Sequence, residues 1–169
     1  MIILIAVTTV NDSSREIADA IAKPLTQVGN TVEIQDLAKI DSMDGYEAAI
    51  IGSSIYFGRW QPEAIQFLRS FTQHLQTIPV WLFSTGPIKD DPCYQPLDIA
   101  QTMQLAHARE HRVFNKLTTL NLVQRLLARA IHIRIGDWRD WEDIHAWAHS
   151  IAHTLGKCPD QHFKVARFT

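Results

Sequence analysis

The chain has 169 residues, about the length of one domain. Apolar residues make up 46% and charged residues 20%, which is typical of a folded globular protein and excludes a disordered, collagen-like or coiled-coil chain. The 16 basic and 18 acidic residues leave a net charge of −2, so no overall positive charge favours nucleic-acid binding. Two cysteines, Cys93 and Cys158, each beside a proline, are too few for a disulfide framework or a four-cysteine zinc site.

The N-terminal segment Met1–Val7 is apolar but lacks the basic residues that begin a signal peptide, and it is too short to span a bilayer. No other stretch of the sequence is long and apolar enough to be a membrane span. We therefore expect a reduced, cytoplasmic, one-domain protein.

Apolar runs of strand length alternate along the chain with segments of helical spacing. The predicted strands are Ile2–Val7, Thr31–Gln35, Ala48–Ile51, Val80–Phe83 and a fifth around Val113–Phe114. The helices carry apolar residues three or four positions apart: Ile17, Ile21, Leu25 and Val28; Ile65, Leu68, Phe71 or Thr72, and Leu75; Trp141, Ile144, Ala148, Ile151 and Leu155. Pro24 should kink or shorten the first helix. The segment after the third strand reads as a long loop through Trp60.

This alternation predicts an α/β fold with a five-stranded parallel sheet and helices on both faces. The first strand is apolar throughout, as a central strand would be, whereas the second alternates like an edge strand. The expected order is therefore 2-1-3-4-5. In such doubly wound sheets, ligands bind beyond the carboxyl ends of the strands, where the strand order reverses. The loops after the first, third and fourth strands should form the site.

The first of these loops, Thr8–Ser14, leads directly into a helix. Hydroxyls and backbone N–H groups at a helix N-terminus form an anion site, which the helix dipole strengthens. The loop has neither a G-x-G-x-x-G pattern nor a P-loop lysine, so dinucleotide and P-loop sites are excluded. The alternative is that Ser13 and Glu16 form only a capping box, and the two interpretations are compatible.

The second loop, Gly52–Trp60, contains three aromatic residues and two glycines directly after a strand. Aromatic faces and closely approaching backbone are what a planar ligand needs. A packed surface loop without a ligand is the alternative. The third loop, Ser84–Pro87, adds hydroxyls at the corresponding end of the fourth strand.

Four stretches together resemble one known family: Ser13–Ala18, Ile51–Gly58, Val80–Pro87 and Gly136–Trp141. They are similar to the flavodoxin-like flavoproteins, and specifically to the branch that includes menaquinone-dependent protoporphyrinogen oxidase. The resemblance covers residues 1–155, with an extra helical insertion at about 118–136 after the fifth strand. The C-terminal tail, residues 156–169, lies outside it.

The resemblance implies FMN as a non-covalent cofactor. The phosphate would lie in the first loop, at Thr9, Val10, Asn11, Asp12, Ser13 and Ser14. The isoalloxazine ring would lie between the second and third loops, at Ser54, Ile55, Tyr56, Phe57, Gly58, Trp60, Ser84, Thr85, Gly86 and Pro87. Tyr56 and Trp60 are the residues expected to cover the ring. The redox chemistry would belong to the flavin, since no side chain identifies itself as a catalytic acid or base.

One position departs from the family pattern, because Asp12 stands where the first loop normally has glycine. A carboxylate about 4 Å from a phosphate, at an effective dielectric constant of about 20, costs on the order of 4 kcal/mol per charge pair. That would weaken binding roughly a thousandfold. If Asp12 points into solvent, the cost falls to a screened surface interaction.

Positive charge is concentrated in residues 111–136, which carry +5 and leave −7 for the rest of the chain. Asn121–Ile135 reads as a helix with a wide apolar face, and the segment contains Arg125, Arg129 and Arg134. One interpretation is a helix at a membrane surface. The resemblance implies that this surface is the inner membrane with its quinone pool, because the quinone-dependent oxidases carry an insertion at this point. The other is a helix that covers the sheet or a homodimer partner, since membrane-surface helices usually carry more cations.

His145, His149 and His153 recur every four residues, and His107 and His111 are also four apart. No carboxylate or thiolate accompanies them at a metal-binding spacing, so we expect helix-surface histidines and no metal site.

Taken with the resemblance, the sequence predicts an FMN-binding oxidoreductase resembling quinone-dependent protoporphyrinogen oxidase. The alternatives are a flavodoxin-type electron carrier and a module of the same fold that has lost FMN.

Overall fold

The computed structural model of the chain describes residues 1–8, 12–86, 96–115 and 140–156. The strands are β1 (Ile2–Val7), β2 (Thr31–Asp36), β3 (Ala48–Tyr56), β4 (Arg59–Trp60), β5 (Val80–Gly86) and β6 (Glu110–Asn115). The helices are α1 (Asp12–Gln27), α2 (Pro62–Ser70), α3 (Thr72–Leu75), α4 (Ile99–Ala106) and α5 (Trp141–Gly156). Leu37–Lys39 form a single 3₁₀ turn.

Five of the strands pair in parallel in the order β2-β1-β3-β5-β6. The short β4 pairs only with β3, in an antiparallel hairpin. The fourth and fifth strands of the prediction correspond to β5 and β6, so the predicted order 2-1-3-4-5 is confirmed. The apolar β1 lies inside the sheet and the polar β2 lies at an edge. The predicted insertion at 118–136 lies outside the described residues, as does nearly all of the predicted tail.

Each face of the sheet buries its own core. On β1, Ile3 and Ile5 pack with α1 and α5, whereas Leu4 and Ala6 pack on the other face with α2. Successive side chains of a strand point to opposite faces, so the same division continues along β3 and β5. At the carboxyl end of the sheet, successive residues of one strand therefore face the α1 side and the α2 side of the sheet in turn.

Two helix predictions were wrong in detail, one at the end of the first helix and one within the second. α1 continues through Pro24 and ends at Gln27, since a proline near the helix end removes only one backbone donor. Val28 lies beyond the helix and is exposed. The predicted second helix is divided at Phe71, and the Thr72 hydroxyl donates to the carbonyl of Leu68.

β3 is longer than predicted, because it continues past Ile51 to Tyr56. The segment expected to be a long loop is instead a tight hairpin, in which β3 turns directly into β4. α4 was not predicted; it lies beside α2, with Thr102 and Ala106 buried.

The histidines of α5 are exposed, as predicted: His145, His149 and His153 all lie on its outer face. His107 ends α4 in a left-handed conformation and His111 belongs to β6. The expectation that these two histidines lie on the surface of one helix was therefore wrong. Within the described residues, no three metal-binding side chains cluster. No helix in that part of the chain is long and apolar enough to cross a membrane.

Candidate functional site

Three buried hydroxyls meet where the first, third and fourth parallel strands end. The Ser14 hydroxyl lies 2.9 Å from that of Thr85 and 3.4 Å from that of Ser54. The Thr85 hydroxyl donates to Ser54 Oγ at 3.5 Å. We call these three residues the α1-side hydroxyl cluster. They come from α1, β3 and β5, so the three segments singled out in the sequence are held together.

Strand register explains why this cluster forms. Ser54 and Thr85 are direct partners in the β3–β5 pairing, and both point to the face that α1 covers. The backbone N–H of Ser54 donates to the Thr8 hydroxyl at 3.4 Å, while the N–H of Thr8 donates to the Gly52 carbonyl. β1 is thereby tied to β3 at the point where α1 is about to begin.

A second hydrogen-bonded group lies on the opposite face of the same edge. The indole N–H of Trp60 donates to the Ser84 hydroxyl at 2.7 Å, and Ser84 Oγ lies 2.8 Å from His111 Nε2. We call these three residues the α2-side network. Burial lowers the pKa of His111 to about 4, so its imidazole is neutral at physiological pH.

Sequence reasoning missed His111 because its spacing from His107 suggested a helix surface. The alternation of side chains along β6 would have identified it. His111 and Val113 share one face of this strand, while Phe114 packs into the core on the α1 side of the sheet. A polar residue at an inward position of a strand needs a partner. Ser84 supplies one.

The hairpin between β3 and β4 carries two exposed aromatic side chains at the edge of the site. Tyr56 is 64% exposed and Phe57 is 87% exposed, and their rings contact edge to face. Phe57 and Gly58 both have positive φ values, +47° and +77°, as in the type I′ turns that suit hairpins. Glycine adopts that conformation freely, but an aromatic residue there is strained by about 1 kcal/mol or more. We call Tyr56, Phe57 and Gly58 the hairpin tip.

Backbone passes close to backbone at the base of this hairpin. A Cβ on Gly86 would lie 3.2 Å from the carbonyl oxygen of Ile55. The end of β5 therefore runs directly along the hairpin, and the third loop begins beside the second. A glycine at this position keeps the two segments together.

The remaining predicted site residues divide into two groups. Thr9, Val10, Asn11 and Pro87 lie outside the described residues. Asp12 and Ser13 form the first positions of α1, of which only the backbone is described. α1 begins at Asp12. The capping box predicted for Ser13 and Glu16 depends on the Ser13 side chain, which lies outside the described part of the chain, so it stays a prediction.

The sequence matches the flavodoxin domain family over residues 4–132, which is well over half of the chain. The chain belongs to that family. No curated protein matches the sequence significantly.

Solved structures agree on the fold. A flavodoxin from the domain Archaea superimposes with a TM-score of 0.59 at 12% identity, over 92% of this chain and 99% of that one. A cysteine-to-alanine variant of a Pseudomonas aeruginosa flavodoxin gives 0.60 at 14% identity, over 92% and 99%. Rubredoxin oxygen:oxidoreductase from Desulfovibrio gigas gives 0.62 at 12% identity, over 92% of this chain but 36% of its own.

Membership of the flavodoxin family implies flavin binding, and the described residues fit a flavin. The N-terminus of the sixteen-residue α1 opens at the carboxyl edge of the sheet, where a phosphate would be favoured. Exposed aromatic faces stand beside it at the hairpin tip. Trp60, expected with Tyr56 to cover the ring, is only 3% exposed, because its indole is bound within the α2-side network. Phe57 is the more accessible ring of the hairpin.

Proposed function

We propose that this protein binds FMN non-covalently at the carboxyl edge of the sheet and acts as an oxidoreductase. The observation that carries the proposal is the meeting of Ser14, Ser54 and Thr85, which fixes three segments of a flavodoxin-type site around the start of α1. Flavin supplies the redox chemistry when it is bound. The protein supplies position, backbone hydrogen bonds and an apolar surface.

The parts of the site have distinct roles in this proposal. The free N–H groups at the start of α1 hold the phosphate. The hairpin tip lays an aromatic face on the isoalloxazine ring and excludes water from one side of it. The α1-side hydroxyl cluster and the α2-side network would hold in place the segments that contact the ring. In the first the hydroxyls are bonded to one another, and in the second the Ser84 hydroxyl is bonded to Trp60 and His111.

The finer proposal is an oxidase similar to menaquinone-dependent protoporphyrinogen oxidase, which passes electrons from a reduced aromatic substrate to FMN and then to a quinone. The sequence resemblance supports it, as does the positive charge of residues 111–136. Flavodoxin-type electron carriers usually have an acidic surface with which they dock to their partners. The positive charge of residues 111–136 argues against that role. Among these cations the structure describes Arg112, whose charge is partly offset because it pairs with Glu110 at 2.7 Å and lies 3.7 Å from Asp143.

Titration of FMN into the flavin-free protein, followed by flavin fluorescence, tests the binding. We expect saturable binding by the wild type and tighter binding by Asp12→Asn, by up to roughly a thousandfold if the carboxylate faces the phosphate. The matched control is Asp44→Asn, which removes an exposed carboxylate from another loop. Binding by Asp12→Asn alone would favour a module that has lost FMN. If neither the wild type nor Asp12→Asn binds FMN, both the oxidase proposal and the electron-carrier alternative are contradicted.

Reoxidation separates the oxidase from the carrier. Protein loaded with FMN is reduced without oxygen and mixed with menadione, and flavin absorbance is recorded. The oxidase proposal predicts reoxidation that saturates with quinone concentration. A rate no faster than that of free reduced FMN would favour the electron carrier.

A further inference from the structure

A groove between α2 and α4 adjoins the proposed flavin site and shares only Trp60 with it. Its volume is about 510 Å³, within the range of roughly 300–1,000 Å³ that small-molecule sites occupy. Ile65 and Leu105 give its two walls apolar surface, and Trp60 closes the end beside the hairpin. The groove is therefore continuous with the α2-side network of the flavin edge.

The two ends of the groove differ in charge. α2 and α4 both begin at the carboxyl edge of the sheet, so Asp98 and Arg59 lie at the hairpin end. Arg69 lies in the last turn of α2, seven residues after Pro62 and therefore about 10 Å from the start of that helix. None of the ion pairs among the described residues involves Arg59 or Arg69. Both guanidinium groups are available to an anion.

Asp98 is the unusual residue of the groove. It precedes α4 at the N-cap position, where an aspartate normally accepts from the first turn of the helix, but its side chain makes no such bond. Its Oδ2 accepts from the backbone N–H of Trp60 at 3.4 Å. Its Oδ1 is buried without a hydrogen-bond partner among the described residues. A buried carboxylate oxygen without a donor is costly. Because Asp98 lines the groove, rotation of its side chain would present this oxygen to a ligand N–H or O–H.

We propose that this groove binds an elongated amphipathic acid with a ring, a hydrogen-bond donor at one end and a carboxylate at the other. The donor binds Asp98 at the hairpin end, the ring packs between Ile65 and Leu105, and the carboxylate binds Arg69. At the hairpin end Asp98 and Arg59 oppose each other in charge, whereas no carboxylate among the lining residues accompanies Arg69 at the far end, so the ligand's carboxylate is assigned to Arg69. Arg59 adds positive potential at the mouth.

The groove also indicates where a substrate would approach the flavin. Trp60 lines the groove and is bound to Ser84 below the flavin edge, so the donor end of the ligand would lie next to the proposed ring site. That the ligand is a redox substrate rests on the proposed function, whereas its binding does not. Binding is therefore measured on protein without FMN.

Isothermal calorimetry with indole-3-butyrate tests the inference, because this probe carries an apolar ring, a ring N–H and a carboxylate. We expect saturable one-to-one binding that Arg69→Gln weakens by about tenfold or more, the effect of losing one charge-assisted hydrogen bond. The matched control is Lys23→Gln, which removes an exposed cation from α1 on the other face of the sheet. Equal affinities for Arg69→Gln and Lys23→Gln, or no binding by the wild type, would overturn the inference.

The donor contact is tested with 4-(1-naphthyl)butyrate, which keeps ring and carboxylate but lacks the N–H. The wild type should prefer the indole acid, and Asp98→Ala should lose that preference while it still binds through Arg69. Circular dichroism establishes that each variant is folded. A preference unchanged in Asp98→Ala would contradict the proposed orientation. Acid binding without FMN binding would leave the groove in place and remove only its redox role.

Discussion

The hairpin tip and the two hydrogen-bonded groups beneath it show opposite physical properties within one candidate site. Ser14, Ser54, Thr85 and Ser84 are all at most 5% exposed and bonded to one another or to Trp60 and His111. Phe57, in contrast, is 87% exposed and held in a conformation that costs energy. Strain at an exposed position is kept only where the surroundings impose it or a ligand uses it. The buried groups thus set the geometry, and the tip supplies the contact.

The largest expected effect comes from the strand beneath the site. Gly52→Ala would place a Cβ 2.1 Å from Cζ of the fully buried Phe83 ring, so the ring or the strand must move. We expect a loss of about 3 kcal/mol in the free energy of unfolding, measured with urea. The control is Gly156→Ala, where no atom of the described residues lies within 4 Å of the new Cβ. Equal stability of the two variants would show that the Phe83 ring does not pack against β3 at this position.

Removal of the central hydroxyl of the α2-side network should have the next largest effect. Ser84→Ala leaves the Trp60 indole N–H and His111 Nε2 without their shared partner. The expected loss of stability is about 1–3 kcal/mol. Ser150→Ala on the exposed face of α5 is the control and should change stability little. A loss no greater than that of the control would mean that these bonds do not fix the hairpin.

Acid should weaken the same network through His111. Its pKa is about 4 in the folded protein and about 6.5 in the unfolded chain, so the unfolded chain binds more protons between these values. Its contribution to stability is therefore complete above about pH 6.5 and is lost as the pH falls toward 4. The slope from this residue is at most about 1.4 kcal/mol per pH unit. Urea unfolding across this range should show a smaller slope for His111→Gln, and an identical slope would contradict the assignment.

The hairpin tip should respond in the opposite sense. Phe57→Asn replaces the strained ring with a residue that tolerates a left-handed backbone, so stability should stay equal or rise by about 1 kcal/mol. Flavin affinity should fall, because the ring no longer contacts the ligand. Val28→Asn, which also removes an exposed apolar side chain, should leave flavin affinity unchanged. A loss of stability in Phe57→Asn would make the tip part of the fold rather than of the site.

Most of the sheet could be predicted because β1 and β2 differ so clearly in pattern. The run Ile2–Val7 is apolar on both faces, whereas Thr31–Asp36 alternates, and this difference identifies the central and edge strands. The loops were chosen by the same logic, since doubly wound sheets bind ligands where the strand order reverses. The meeting of Ser14 with Ser54 and Thr85 follows from that topology.

The remaining features depend on contacts that a sequence pattern does not contain. Gly52, Ser53 and Ser54 have low strand propensity, yet pairing with β5 keeps them in β3. Trp60 was expected to cover a ring, but the hairpin register turns it toward Ser84. His111 depends on the neighbouring strand for its partner. Ser84 lies opposite Val113 in the β5–β6 pairing, and His111 lies two residues before Val113 on the same face, within reach of the Ser84 hydroxyl. Long-range register decided all three.

Backbone amide shifts of isotope-labelled protein during FMN titration test the central claim most directly. The largest shifts should fall at Ser14, at Ser54–Gly58 and at Ser84–Gly86, while β2 and the α2–α4 groove change little. That pattern would place the cofactor over the buried hydroxyls and against the hairpin tip. Shifts centred on the groove, or no shifts at saturating FMN, would contradict a flavin site at this edge of the sheet.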